Sequence, residues 1–220
     1  GNQSGKEWAD NIISELKEMP NVIVKNRSQV FGYYDHNMLV MSEKLSDHLP
    51  KTKKYNPKQR LWYIRAKEVV ISSGSIERPL VFGNNDTPGV MLSSAAKEYL
   101  KVYGVLVGKK PLIFTNNDSG YETAIEFKKN GVDPVVLDTR KELKSEIIDE
   151  AKKLNIQIKF SYVVVAAKGY KKVKSAEVAK ISDDKKKLGA LENINCDCIC
   201  VSGFWTPTIH LASQSGNKTT

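Results

Sequence analysis

Pro111-Leu112-Ile113-Phe114-Thr115, continued by Asn116-Asn117-Asp118-Ser119-Gly120-Tyr121-Glu122, is the stretch on which the rest of this 220-residue chain turns. The first five residues read as a short buried strand, and the polar residues after them as a tight turn. An apolar helical face then runs to Gly131, and Val135-Val136-Leu137-Asp138 is a second apolar run that ends in an acid. Strand, turn, helix and strand in about 30 residues make a βαβ unit, which places the two strands side by side and parallel.

A unit of this kind opens a dinucleotide-binding domain when its turn carries G-x-G-x-x-G. The glycines let the backbone approach a pyrophosphate and leave the helix N-terminal amides free for it. Here those positions fall on Thr115, Asn117 and Gly120, so only the last glycine survives. Asn117 puts a side chain where close approach is needed. Ser119 and Glu122 have the spacing of a capping box, which would occupy the amides. Asp118 and Glu122 add negative charge at the positive end of the helix, good for the helix and repulsive to phosphate. Asp138 stands where a ribose-binding acid would stand, although an Asp at a strand end is common. The unit reads as a Rossmann half kept for its shape, with its own nucleotide site closed.

Composition sets the wider bounds. Hydrophobic residues at 40% and charged ones at 27% are globular values, and the length suits one or two domains. No apolar run approaches the ~20 residues of a membrane span, and the opening residues do not have the charged-then-apolar pattern of a secretory start. The net charge of +9 comes mostly from lysines clustered in turns: Lys51, Lys53 and Lys54; Lys171, Lys172 and Lys174; Lys185 to Lys187. Nucleic-acid binding wants arginine and interleaved aromatics, and neither pattern is present. The clusters read as a solvated surface or a docking face for an acidic partner. Cys196, Cys198 and Cys200 alternate, which predicts one strand with all three on one side, packed and reduced in a cytoplasmic setting.

In chain order, residues 6–19 have helical spacing and end at Pro20. Val22-Ile23-Val24 reads as a strand. Gln29 to Tyr34 and Met38 to Ser42 form a hairpin over Asp35-His36-Asn37, Leu61 to Arg65 pairs back, and Val69 to Ser72 is a buried strand. Pro88-Gly89 is a turn, and Ser93 or Ser94 caps a helix that Gly104 ends. Leu143, Ile147, Ala151 and Leu154 mark another helix, and Ile156, Ile158 and Phe160 a strand. Turns at Lys168-Gly169 and Asp183-Asp184 predict an antiparallel layer. His36, His48 and His210 are isolated from any partner that sequence assigns. Glu77 and Arg78 read as a structural ion pair at the domain crossover or as residues facing a flavin, and Trp205 as a packing residue or a stacking platform for a nucleotide.

Two strands end alike. Ser72-Ser73-Gly74 is followed by Arg78-Pro79, and Ser202-Gly203 by Pro207. The first resembles the Ala-Thr-Gly motif with which two-domain flavoproteins close one nucleotide domain before crossing into the next. The fold class predicted is therefore α/β: a Rossmann-like NAD-type domain inserted in the remainder of a first FAD/NAD-binding domain. The expected boundaries are 1–89 for part of the first domain, 90–204 for the insertion and 205–220 for the return.

The segments Val30 to Asn37, Glu77 to Phe82, Asn85 to Leu92, Phe114 to Ser119 and Val201 to Pro207 resemble the alpha subunits of heterotetrameric sarcosine oxidases. The resemblance implies oxidative demethylation of sarcosine to glycine. It further implies transfer of the one-carbon unit to tetrahydrofolate and of electrons through FAD and FMN to oxygen. It implies NAD, FMN and FAD in a whole complex, with a beta subunit and smaller subunits as partners; the residues themselves offer no catalytic nucleophile or metal cluster, and nucleic acid and membrane are not expected. This chain is expected to be an internal fragment that binds none of these cofactors alone. Of the family's NAD contacts, the resemblance maps two here: Val30, whose backbone approaches the adenine, and Gly74, the close-approach glycine. Each is equally well a core valine and a turn glycine. A related amine or opine oxidase, or a non-enzymatic interaction module with a closed nucleotide site, are the alternatives.

Overall fold

The computed structural model describes residues 4–50 and 56–216, so the lysines at 51, 53 and 54 lie outside the described residues. The chain divides into two compact units. One comprises the residues up to Gly74 together with those from Thr208 onward, and the other is Ser75–Pro207.

The first unit begins with helix α1 (Gly5–Glu18), opened by a capping box in which Ser4 and Glu7 each bond the other's backbone. The helix buries none of its residues, and Trp8 is exposed. Three strands, β1 (Ser28–Tyr34), β2 (Met38–Lys44) and β3 (Gln59–Arg65), then form an antiparallel meander. The β1–β2 turn places His36 and Asn37 at positive φ, as a tight primed hairpin turn requires. A bulge at Val30/Gly32 leaves Phe31 unpaired.

The second unit carries the parallel sheet. Its elements, in order, are β4 (Ser75–Arg78), β5 (Val90–Leu92), α2 (Ser93–Tyr103), β6 (Pro111–Thr115), α3 (Ser119–Lys129), β7 (Val135–Asp138), α4 (Glu146–Lys153) and β8 (Gln157–Phe160). There follow β9 (Tyr162–Lys168), β10 (Ser175–Ile181), β11 (Leu188–Asn195), β12 (Cys198–Ser202) and β13 (Phe204–Pro207). Strand order in the five-stranded sheet is β5-β12-β6-β7-β8, with every pairing parallel. β9, β10 and β11 form an antiparallel layer, and β4 pairs with β13 in a two-stranded ribbon.

A central parallel strand must be apolar on both faces, and β6 and β12 are wholly buried. Ile113, Cys198 and Cys200 point to one side, into a core with Ala96 of α2, Phe127 of α3 and Ile148 of α4. Leu112, Phe114, Ile199 and Val201 point to the other, against Val164, Ala176 and Val178 of the antiparallel layer. Phe114 there meets Phe82 edge to face at 5.8 Å. The last helix, α5 (His210–Gln214), belongs to the first unit, where Gln214 accepts from the Tyr33 amide. No helix among the described residues is long and apolar enough to cross a membrane.

Four expectations are corrected. Residues 22–24 and 69–72 are not strands, and Ile23 and Val70 are 83% and 90% exposed. An apolar run becomes a buried strand only where a sheet receives it, and neither run pairs with another among the described residues. Cys196 lies in the core beside the antiparallel layer, opposite Cys198 and Cys200. Alternation fails because Asp197 turns the chain between β11 and β12, its carboxylate accepting from the Lys109 and Lys110 amides. Neither Ser93 nor Ser94 caps α2 with its side chain. Glu77, buried on β4, accepts from the Ser94 amide at 2.8 Å instead, and it makes no ion pair with Arg78.

Candidate functional site

In an open parallel sheet, ligands bind beyond the carboxyl ends of the strands, where the crossovers diverge to either side. Here that place lies between β6, whose chain leads to β7 on one side, and β12 on the other. The loop after β6 folds on itself. Thr115 Oγ1 donates to the Asn117 carbonyl at 2.8 Å and accepts from the Asn117 amide at 3.1 Å.

The Asn117 side chain then spans the crevice. Its Nδ2 donates to the Gly203 carbonyl at 2.8 Å and the Ser202 carbonyl at 3.3 Å. Its Oδ1 accepts from the Ser119 amide at 2.9 Å and from Ser202 Oγ at 3.3 Å. Trp205 Nε1 donates to Ser119 Oγ at 2.8 Å, which lays the indole at the same helix tip. The expected capping box is therefore corrected. Ser119 is already the first helical residue, Glu122 pairs with Lys97, and it is Asn117 that satisfies the helix amide.

Gly120 survives for packing. A Cβ there would stand 2.6 Å from the Thr115 Cβ, so helix and strand approach as closely as they do only without one.

Asp138 is fully buried and fully engaged. It accepts from the Tyr121 hydroxyl at 2.7 Å, from the Arg140 amide at 2.9 Å, and from Arg140 Nη2 at 2.8 Å. The same guanidinium pairs with Asp118 at 2.8 Å, and Asp118 also accepts from Ser145 Oγ at 2.8 Å. Burial raises the Tyr121 phenol far above its ordinary range, and Asp138 adds to this. Desolvation opposes the Arg140 charge, but Asp138 and Asp118 outweigh it and hold the guanidinium protonated. Desolvation also opposes the charge of Asp118, yet Ser145 and Arg140 keep its carboxyl below the usual range. The acid that a ribose would need thus has its acceptor sites taken by protein donors.

The two residues mapped from the family resemblance lie in the first unit. Val30, half-buried beside the β1 bulge, lines a cavity of about 360 Å³ with Gln29, Leu39, Val69, Ser72 and Ser73. Apolar walls with a few hydroxyls suit a small flat ring. Gly74 follows the two serines at φ +68°, with nothing within 4 Å of where a Cβ would stand, so the glycine answers a conformation and not a lack of room. Ser73 Oγ donates to the Thr208 carbonyl and the Thr208 amide to the Gly74 carbonyl, which fixes this corner.

No cluster of metal-ligating side chains occurs among the described residues. The cysteines are free and buried. Burial pushes the Cys196 thiol up to about 12, and the Cys198 thiol together with burial holds Cys200 well above its usual value. Neither has the character of a nucleophile. Sequence reasoning missed the roles of Tyr121 and Arg140. The only signals were an Arg two residues beyond a strand-terminal acid and a phenol one position after the last glycine.

No protein-family model matches the sequence. The fold is that of two-domain flavoproteins. Thioredoxin reductase of T. acidophilum aligns over 99% of this chain and 65% of its own, at a TM-score of 0.70 and 15% identity. Bacillithiol disulfide reductase of Bacillus cereus aligns over 96% of this chain and 60% of its own, with TM-score 0.65 and 14% identity. L-proline dehydrogenase of P. horikoshii aligns over 99% and 35%, with TM-score 0.58 and 19% identity. In sequence, sarcosine oxidase subunit alpha of Rhizobium meliloti is 36% identical over 98% of this chain and 21% of its own length. The subunit of that name from Corynebacterium sp. strain P-1 is 32% identical over 98% and 22%. Over nearly its whole length, then, this chain is a relative of one stretch of sarcosine oxidase subunit alpha, and it spans about a fifth of that polypeptide.

Proposed function

We propose that this chain is the scaffold segment of an oxidoreductase that demethylates sarcosine to glycine, with FAD, FMN and NAD held in the whole complex. In this role it does no chemistry. Ser75–Pro207 keeps the shape of a dinucleotide domain while its crevice is filled, and its outer surfaces are left for docking a beta subunit and smaller subunits. In the first unit, the backbone around Val30 and Gly74 would lie against the adenine end of NAD, whose redox-competent ring belongs to other parts of the complex. The cavity beside Val30 is large enough for such a ring and has hydroxyls to orient it.

One observation carries the reading: the Asn117 side chain bonds both the far wall of the crevice and the helix amide that a diphosphate would need. The position of Trp205 supplies the test. With Trp8 and Trp62 replaced by Phe, Trp205 emission reports on that helix tip. NAD added to about 1 mM, the weak end of ordinary ligand affinities, is expected to leave the emission unchanged once the absorbance of the nucleotide is corrected for. A saturable change would show a working nucleotide site and end the scaffold reading.

A further inference from the structure

The carboxyl ends of the parallel strands hold the closed crevice, and the opposite edge of the same sheet carries a different surface. Helix α2 ends there at Gly104, and the link to β6 exposes Val105 (48%) and Leu106 (45%) beside Tyr103 (66%). Lys109 and Lys110 follow, both exposed. The turn between β9 and β10 comes to the same edge. The Cys196 amide bonds the Lys174 carbonyl, and the Asp197 amide the Lys110 carbonyl. That turn presents Lys171, Lys172 and Lys174, with Tyr170 at its tip almost wholly exposed.

None of these five lysines has an ion pair among the described residues. The acid between them, Asp197, is held by backbone amides and does not reach an ammonium group. Three apolar side chains flanked by five unpaired lysines have the anatomy of a protein interface, an apolar centre with a polar rim. Nucleic acid is a poorer fit, because the patch has no arginine and its two tyrosines, Tyr103 and Tyr170, precede the lysines in sequence and do not alternate with them. Small ligands of this fold class bind at the other end of the strands.

We propose that this edge docks an acidic protein surface, one whose carboxylates surround an exposed apolar side chain. The proposal rests on the docking part of the role set out above and is independent of the closed crevice, which Trp205 tests separately.

The probe is a synthetic amphipathic helical peptide, leucines on one face and glutamates elsewhere, titrated against the full chain by fluorescence anisotropy. Saturable binding is expected, weakening about tenfold between about 0.05 and 0.3 M salt as the charges are screened. Lys171→Glu, Lys172→Glu and Lys174→Glu together should remove about tenfold or more. The same change at Lys185, Lys186 and Lys187, on the β10–β11 turn, should stay within about twofold. Glutamine at the first three positions is a milder second variant and should fall between. Serine at Val105 and Leu106 should weaken binding without changing the salt slope. Equal losses from the two glutamate triples would make the effect one of net charge alone and overturn the proposal. No saturable peptide binding, or tighter binding of a single-stranded oligonucleotide of equal charge, would overturn it too.

Discussion

The hydroxyl of Tyr121 donates to the carboxylate of Asp138 at 2.7 Å, with both side chains withdrawn from solvent. This ties the second residue after Ser119 to the end of the neighbouring strand, and Arg140 completes the arrangement from the other side. Tyr121→Phe should cost about 1–2 kcal/mol, since Asp138 keeps its Arg140 bonds. Asp138→Asn should cost about 3 kcal/mol or more, because it leaves the guanidinium with Asp118 alone and strands polar groups in the interior. Urea midpoints at constant slope check both.

Replacing Asn117 by Ala should destabilise the second unit by about 2 kcal/mol, as two carbonyls lose a donor and the Ser119 amide loses its acceptor. It should not create NAD affinity, because Asp138 remains bound to Arg140. Calorimetric titration of the variant tests the second half of this statement, and thermal unfolding the first.

Gly120→Ala forces a methyl to within 2.6 Å of the Thr115 Cβ on a buried strand. Overpacking of this kind costs about 1–3 kcal/mol. A melting temperature equal to that of the parent protein would mean that helix and strand are free to separate.

Glu77→Ala takes the carboxylate from the Ser94 amide at the start of α2 and should cost about 2 kcal/mol, whereas Glu77→Gln retains an acceptor and should cost about half as much or less. Circular dichroism during chemical unfolding separates the two variants. Equal losses would locate the contribution in the charge and not in the cap.

Stability should decline in alkali. Burial raises the Cys196 thiol to about 12, whereas in the unfolded chain it ionises near 8.5. Between those values the unfolded state binds fewer protons than the folded state, so stability present below about pH 8.5 falls as pH rises toward about 12. Cys196→Ala should flatten that decline, as followed by unfolding midpoints from pH 8 to about 11. At the acid end the sign reverses for Asp118, whose folded carboxyl is depressed. Its small contribution, reduced by solvent screening at a half-exposed side chain, is lost as pH falls below the ordinary carboxylate range. Asp118→Asn should remove it.

The central βαβ unit was legible because apolar period, turn chemistry and a strand-terminal acid agree over Pro111 to Asp138. The β1–β2 hairpin was legible for the same reason, its turn residues Asp35, His36 and Asn37 lying between alternating runs. Val69 to Ile71 misled because hydrophobicity records what a segment prefers to bury and not whether a neighbouring strand is there to pair with it. The missing glycines drew attention to the turn after β6, but the residue that bonds the helix amide there was misassigned. Ser119 and Glu122 have the local spacing of a cap, while the bonds of Asn117 reach Ser202 and Gly203, more than eighty residues away in sequence. Asp138 posed the same difficulty, since its partners come from a helix and a loop whose approach the spacing does not encode.

In the β4–β13 ribbon, Ser75 stands opposite Pro207. The second unit therefore starts and finishes one interstrand step apart, so its two ends can be sewn into almost any surface turn, or joined to each other with new ends cut elsewhere, without stretching its interior. Such a cassette can travel between host proteins as a whole.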